Sequence, residues 1–213
     1  SKVPEILKGY VELVYDLNNN PSFKVYEYLL YRSTFYDESL QSISIWLTNN
    51  DSRPFCLSTP RLKEKKVINL KLPFNSSCID ELSQMKKTPK PIEYIKEVLK
   101  IDKKDDELFN TFFTTDAPCL YSNYNGDKIR MRYFGHACIL IETSDISILV
   151  DPLISYYGYN TEINHFSDFD LPESLDYVLI THNHQDHILL ETLLPLRHKI
   201  KNLIVPKSSP GTL

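Results

Sequence analysis

The sequence predicts an α/β chain in two parts, a mostly helical domain over residues 1–122 and a β-rich α/β unit over residues 123–213. Three observations lead there. Apolar residues in the first hundred positions recur every three to four residues. Short runs of β formers begin abruptly near Tyr124, and a cluster of metal-binding side chains follows a buried apolar run at 177–181.

In the first part, Ile6, Tyr10, Leu13 and Leu17 are spaced as one helix face, which the NNNP at 18–21 would end. Phe23, Tyr26 and Leu30, then Leu40, Ile43 and Leu47, then Ile92, Ile95 and Leu99, then Leu108 and Phe112 repeat that spacing. The exception is KVINLKL at 66–72, where alternation and β-branched residues predict a short strand or hairpin arm. The charge run KKDD at 103–106 reads as a solvated helix start.

In the second part, the turn signal SNYNGD precedes IRMRYF, ACILIET and ISILVDP, three short runs rich in β formers. A polar, aromatic loop follows from Ser155 to Leu171, in which Tyr156, Tyr157, Tyr159 and His165 read as surface or covering residues. YVLIT at 177–181 reads as a buried strand, ILLETLLPLRHKI as a helix that Pro195 bends or ends, and LIVP at 203–206 as the next strand.

Composition narrows the function. Hydrophobic residues are 42% and charged residues 24%, the balance of an ordinary globular protein. No run approaches the ~20 apolar residues that span a bilayer, and the N-terminus lacks a secretory apolar run, so the cytosol is the expected location. Cys56, Cys78, Cys119 and Cys138 form no CxxC pair, which disfavours a zinc knuckle or redox motif. Net charge is −4, and residues from Asn123 onward hold 7 Lys/Arg against 11 Asp/Glu, which disfavours nucleic acid. All six histidines lie after residue 135, so histidine chemistry belongs to the second part.

THNHQDH at 181–187 is the informative segment. If the strand continues through His184, His182 and His184 share one face and can grip one ion, while Asp186 and His187, in the following turn, reach a second. Imidazoles suit zinc, iron or manganese, and a carboxylate offsets the charge of two close cations. A metal ion lowers the pKa of bound water to about 7, and Asp186 is placed to orient that water as the catalytic group. The competing reading is a polar loop without metal. For Asp151 the competitor is a plain Asp-Pro turn.

The pattern HxHxDH between strand and helix resembles the signature of the metallo-β-lactamase superfamily, matched here by His182, His184, Asp186 and His187. YFGHACILIET and ILVDP are similar to that family's opening strands, and the wording GHA with HNHQDH is most similar to the branch holding sugar-lactone hydrolases and N-acyl-phosphatidylethanolamine phospholipase D. The resemblance implies a metallo-β-lactamase-type αββα sandwich, of which residues 123–213 would be the first half, continuing beyond the chain end. It implies a role for Asp151 supporting the site. His136 reads as a further supporting residue in contact with the site or substrate, against the alternative of a histidine packed between strands and bonded to backbone. The family's remaining metal ligands lie downstream and are absent from this chain; His198 is too near the motif to replace them.

The expected function is a metal-dependent hydrolase using metal-bound hydroxide on an ester, lactone or phosphodiester, with two divalent ions, zinc first and iron or manganese as alternatives. The expected substrate is a small or lipid-like molecule. Two alternatives stand beside it: an iron-dependent oxidoreductase on the same fold, and a peptide- or protein-binding N-terminal module attached to a structural metal domain.

Overall fold

The computed structural model describes residues 4–47, 65–117, 121–155, 165–184 and 186–207. Cys56, Cys119 and the tyrosines at 156, 157 and 159 lie outside these residues.

Asp16 decides how the chain begins. Its Oδ1 accepts from the backbone N–H groups of Asn18 and Asn20, both at 2.8 Å, and Asn19 takes a left-handed φ of 62°. That is hairpin-turn chemistry. The expected first helix is therefore an antiparallel ribbon of β1 (Val11–Tyr15) and β2 (Pro21–Val25). The second expected helix shrinks to one turn, α1 (Glu27–Leu30), and the third is replaced by β3 (Ile43–Ile45). β3 pairs antiparallel with β4 (Ile68–Leu70), the strand foreseen in KVINLKL. The three-to-four spacing misled because β-branched and aromatic residues on a half-exposed ribbon satisfy it by accident.

Helices form at α2 (Cys78–Gln84), which no spacing run marked, and at α3 (Ile92–Leu99) and α4 (Asp106–Asn110), where the three-to-four spacing predicted them. Ile95, Leu99 and Phe109 meet Ile68 and Leu70 to form the N-terminal core. Lys96 spans Glu93 and Asp106 at 3.0 and 2.9 Å, tying α3 to α4.

The second part is a five-stranded sheet in the order β5 (Arg130–Gly135), β6 (Cys138–Glu142), β7 (Ser147–Val150), β8 (Leu175–Leu179), β9 (Ile200–Ile204). The first three strands are antiparallel; β8 and β9 join in parallel, with α5 (Leu190–Leu196) as the crossover. The helix runs through Pro195 and then tightens into a 3-10 turn at Arg197–Lys199. One sheet face carries Leu140, Leu149 and Val178 against Leu193 and Leu196 of α5. The opposite face carries Ile139, Ile141 and Ile148 half-buried, with Met131 and Tyr133 exposed at 65% and 61%. Two-sided apolar patterning is what a sheet packed on both faces requires.

The chain is thus α/β, an N-terminal domain followed by a five-stranded sheet. Arg197 clamps the two. Its guanidinium forks onto Asp80 of α2 at 2.7 and 2.8 Å and donates to the carbonyls of Phe74 and Ser76. Among the described residues, no helix is long and apolar enough to cross a membrane.

Asp176 stitches three strands: it accepts from the Ser147 N–H at 2.8 Å and hydroxyl at 3.0 Å, and pairs with Lys201 at 2.8 Å. Lys201, then Ser147, hold its carboxyl below the ordinary Asp value of 3.8 against the opposing effect of burial. Its stabilisation is therefore present above that ordinary value and is lost as pH falls through the lowered one. Asp176→Ala should cost about 1–3 kcal/mol at neutral pH in denaturant melts, and the deficit should shrink in acid.

Candidate metal centre

The centre sits where β8 ends. The strand stops at Leu179, two residues before the motif, so His182 and His184 are not strand residues as expected. They meet nonetheless: His182 Nε2 lies 2.9 Å from His184 Nδ1, with the rings edge-to-face.

Asp151 organises the surroundings. It follows β7 with a left-handed φ of 42°, is 2% exposed, and its N–H donates to Leu179 O at 2.9 Å. Its carboxylate accepts the Thr181 N–H at 2.8 Å and the Thr181 hydroxyl at 2.7 Å, and stands 2.9 Å from His187 Nδ1. Burial works to raise this carboxyl, but Thr181 and His187 outweigh it and hold it below the ordinary range.

The tautomers follow from this network. The Thr181 hydroxyl gives its one hydrogen to Asp151, so at 2.9 Å it accepts from His182 Nδ1–H, leaving His182 Nε2 unprotonated. His187 Nδ1–H donates to Asp151, leaving His187 Nε2 unprotonated and 3.6 Å from Asp186 Oδ2. Orienting a histidine through its second nitrogen is the usual support of a metal-binding imidazole.

His136 comes from the β5–β6 turn, where Gly135 and His136 both have positive φ, 109° and 49°. Its Nε2 is 2.9 Å from Asp186 Oδ2. Ligand atoms of His136, Asp186 and His187 all lie within 4.8 Å of one another. Asp186 is held below the ordinary carboxylate range by its own backbone N–H first, then by His136 and His187, against desolvation. His136, expected only to support the site, thus joins Asp186 and His187 as a potential ligand. The sequence reading missed Thr181; the signal was a hydroxyl residue at the strand end, directly before the histidines.

The donor set fits a metal. It offers imidazole nitrogens and one carboxylate, which suits iron, manganese or zinc. Among the described residues no cysteine joins this cluster, and burial pushes the Cys138 thiol up to about 12. His198 lies in the 3-10 turn after α5, outside this cluster.

Residues 1–118 match the family described as the diiron non-heme β-hydroxylase N-terminal domain. The chain belongs to that family. Residues 130–207 match the β-lactamase superfamily domain, so the chain carries the metallo-β-lactamase fold expected from its motif. Over its whole length it is 35% identical to the 4-amino-L-phenylalanyl-[CmlP-peptidyl-carrier-protein] 3-hydroxylase of Streptomyces venezuelae, covering 41% of that protein. The solved structure of CmlA, a diiron β-hydroxylase from the same organism, superposes with a TM-score of 0.72 at 34% identity, over 99% of this chain and 39% of that one. A UPF0173 metal-dependent hydrolase of Rhizobium johnstonii is 33% identical over 60 residues, 28% of this chain and 24% of that protein. The chain therefore spans about two fifths of the hydroxylases it matches throughout.

These findings overturn the expected hydrolase. The relative that matches this chain along its whole length is a hydroxylase, while the likeness to the metal-dependent hydrolase covers 60 residues, 28% of this chain. The same comparison favours iron, an alternative in the expected metal set, over zinc, because the solved neighbour is a diiron protein.

Asp151→Asn keeps a residue type that tolerates the left-handed backbone but removes the charge that orients His187. It should fold, and should lower metal affinity by about 10–100-fold in a chelator competition titration. His182→Ala should remove one metal-binding position while leaving His136, Asp186 and His187 in place, so metal content should fall without vanishing.

Proposed function

We propose that the chain is part of an iron-dependent oxidoreductase that hydroxylates the β-carbon of an aminoacyl group held on a carrier protein. One observation carries this reading: the likeness to a diiron hydroxylase runs through residues 1–118 as well as the metal-site half, whereas the likeness to hydrolases stops at about 60 residues. A carrier-protein substrate also accords with the cytosolic location and the protein partner expected from the sequence.

A pair of irons, when bound, supplies the redox chemistry that activates dioxygen. His136, Asp186 and His187 would hold one ion, and His182 with His184 would contribute to the other. The protein's own work is proton and charge placement. Asp151 keeps the proton on His187 Nδ1, and Thr181 keeps one on His182 Nδ1, so each ring presents an unprotonated Nε2. His136 Nε2 lies 2.9 Å from Asp186 Oδ2. Metal ligands must be unprotonated, so affinity for an ion held there would fall as pH falls.

The test is metal content and oxygen dependence in the full-length protein purified without added metal. Iron at about two per chain is expected, with one oxygen atom gained by an aminoacyl carrier protein when dioxygen and a reductant are supplied. Protein that retains zinc alone, and consumes no oxygen with any aminoacyl carrier protein, would sink the proposal.

A further inference from the structure

At the opposite end of β8 from the metal centre, a cleft opens between α2 and the end of α5, with Lys86, Lys87, Thr88, Asp168, His198 and Lys199 among its walls. Lys87 Nζ donates to Leu171 O at 3.1 Å and Lys199 Nζ to Pro172 O at 3.4 Å. Two ammonium groups are thus anchored to carbonyls of adjacent residues. Each carries three donors, and the described residues give each one oxygen, with Lys87 also lying over the Tyr121 ring at 5.8 Å. Neither has a carboxylate partner among the described residues, because Asp168, the acid on that wall, is bound to Lys86. Glu173 lies at the rim, exposed.

A carbonyl satisfies a donor without neutralising its charge. Lys199 is 9% exposed, and burial, followed by the charge of Lys87, pushes it down to about 8. A buried ammonium beside a second one is a costly arrangement unless an anion completes it. Lysine at close quarters binds phosphate as a point charge, and a dianion matches two of them.

We propose that this cleft is a phosphate site, in which a dianionic phosphate, either the free ion or the head of a small phosphate monoester, bridges Lys87 and Lys199. The site is separate from the metal centre: Leu171 and Pro172 precede β8, whereas His182 follows it. Its occupant therefore touches both domains at their junction, beside the Arg197 clamp.

The experiment is calorimetric titration of the full-length protein with inorganic phosphate and, in parallel, with phenyl phosphate, each against sodium chloride of equal ionic strength. Saturable binding of one phosphate per chain is expected, weakened about tenfold by Lys87→Gln or Lys199→Gln and unchanged by Lys104→Gln, which alters an exposed pair with Asp102. Tighter binding of phenyl phosphate would assign the cleft to a phosphorylated ligand, and equal or weaker binding to the free ion. If Lys199→Gln fails to fold, the half-buried Lys87 carries the test. Absence of saturable binding by both probes, or parental affinity in Lys87→Gln, would overturn the proposal.

Discussion

The buried carboxylate of Asp151 is the constraint on which the metal centre depends. It ends β7 in a left-handed conformation, receives two hydrogen bonds from Thr181 beyond β8, and fixes the ring of His187. An ionised carboxylate at 2% exposure is costly unless every lone pair is used. Its satisfaction therefore forces the ends of two parallel strands and the following loop into one arrangement. The same bonds that stabilise the loop decide which nitrogens remain for a metal, so folding and metal readiness are one event.

This explains which parts of the site were legible. His182, His184, Asp186 and His187 announce themselves because four donors within six residues rarely serve packing. Asp151 was legible through its position at the end of an apolar strand. His136 was undervalued because its approach depends on two successive positive φ angles at Gly135 and His136, a turn geometry that residue spacing does not encode. Thr181 went unseen because its importance lies in whom it binds, a tertiary fact.

The fold divides the same way. Strands β5 to β8 could be read because buried parallel and antiparallel strands are continuous apolar runs bounded by turns. The N-terminal ribbon could not. Leu13 and Phe23 pair across it while both stay exposed, at 65% and 67%, so no buried face imposed a period of two on the sequence. Asp16 and Asn19 fixed the turn, and a run of asparagines reads equally well as a helix stop or a hairpin. The reaction class was the least legible. Hydrolysis and oxygen chemistry draw on the same imidazole and carboxylate ligands, and the distinction lay in an N-terminal domain that contributes none of the clustered donors.

That separation gives the domain junction its significance. Arg197 leaves the helix that begins beside the metal centre and spends its guanidinium on Asp80 and two carbonyls of the N-terminal domain, with side chains roughly three-quarters buried. A bidentate, partly dry ion pair resists shear better than apolar contact, because displacement breaks four guanidinium hydrogen bonds and leaves a carboxylate unpaired at once. α5 is thus held at both ends, by the Asp151 network through the loop that precedes it and by Asp80 through the turn that follows. A displacement of α2 would be carried along one seven-residue helix to the histidine loop, and the N-terminal domain need supply no ligand to influence how the metal is held.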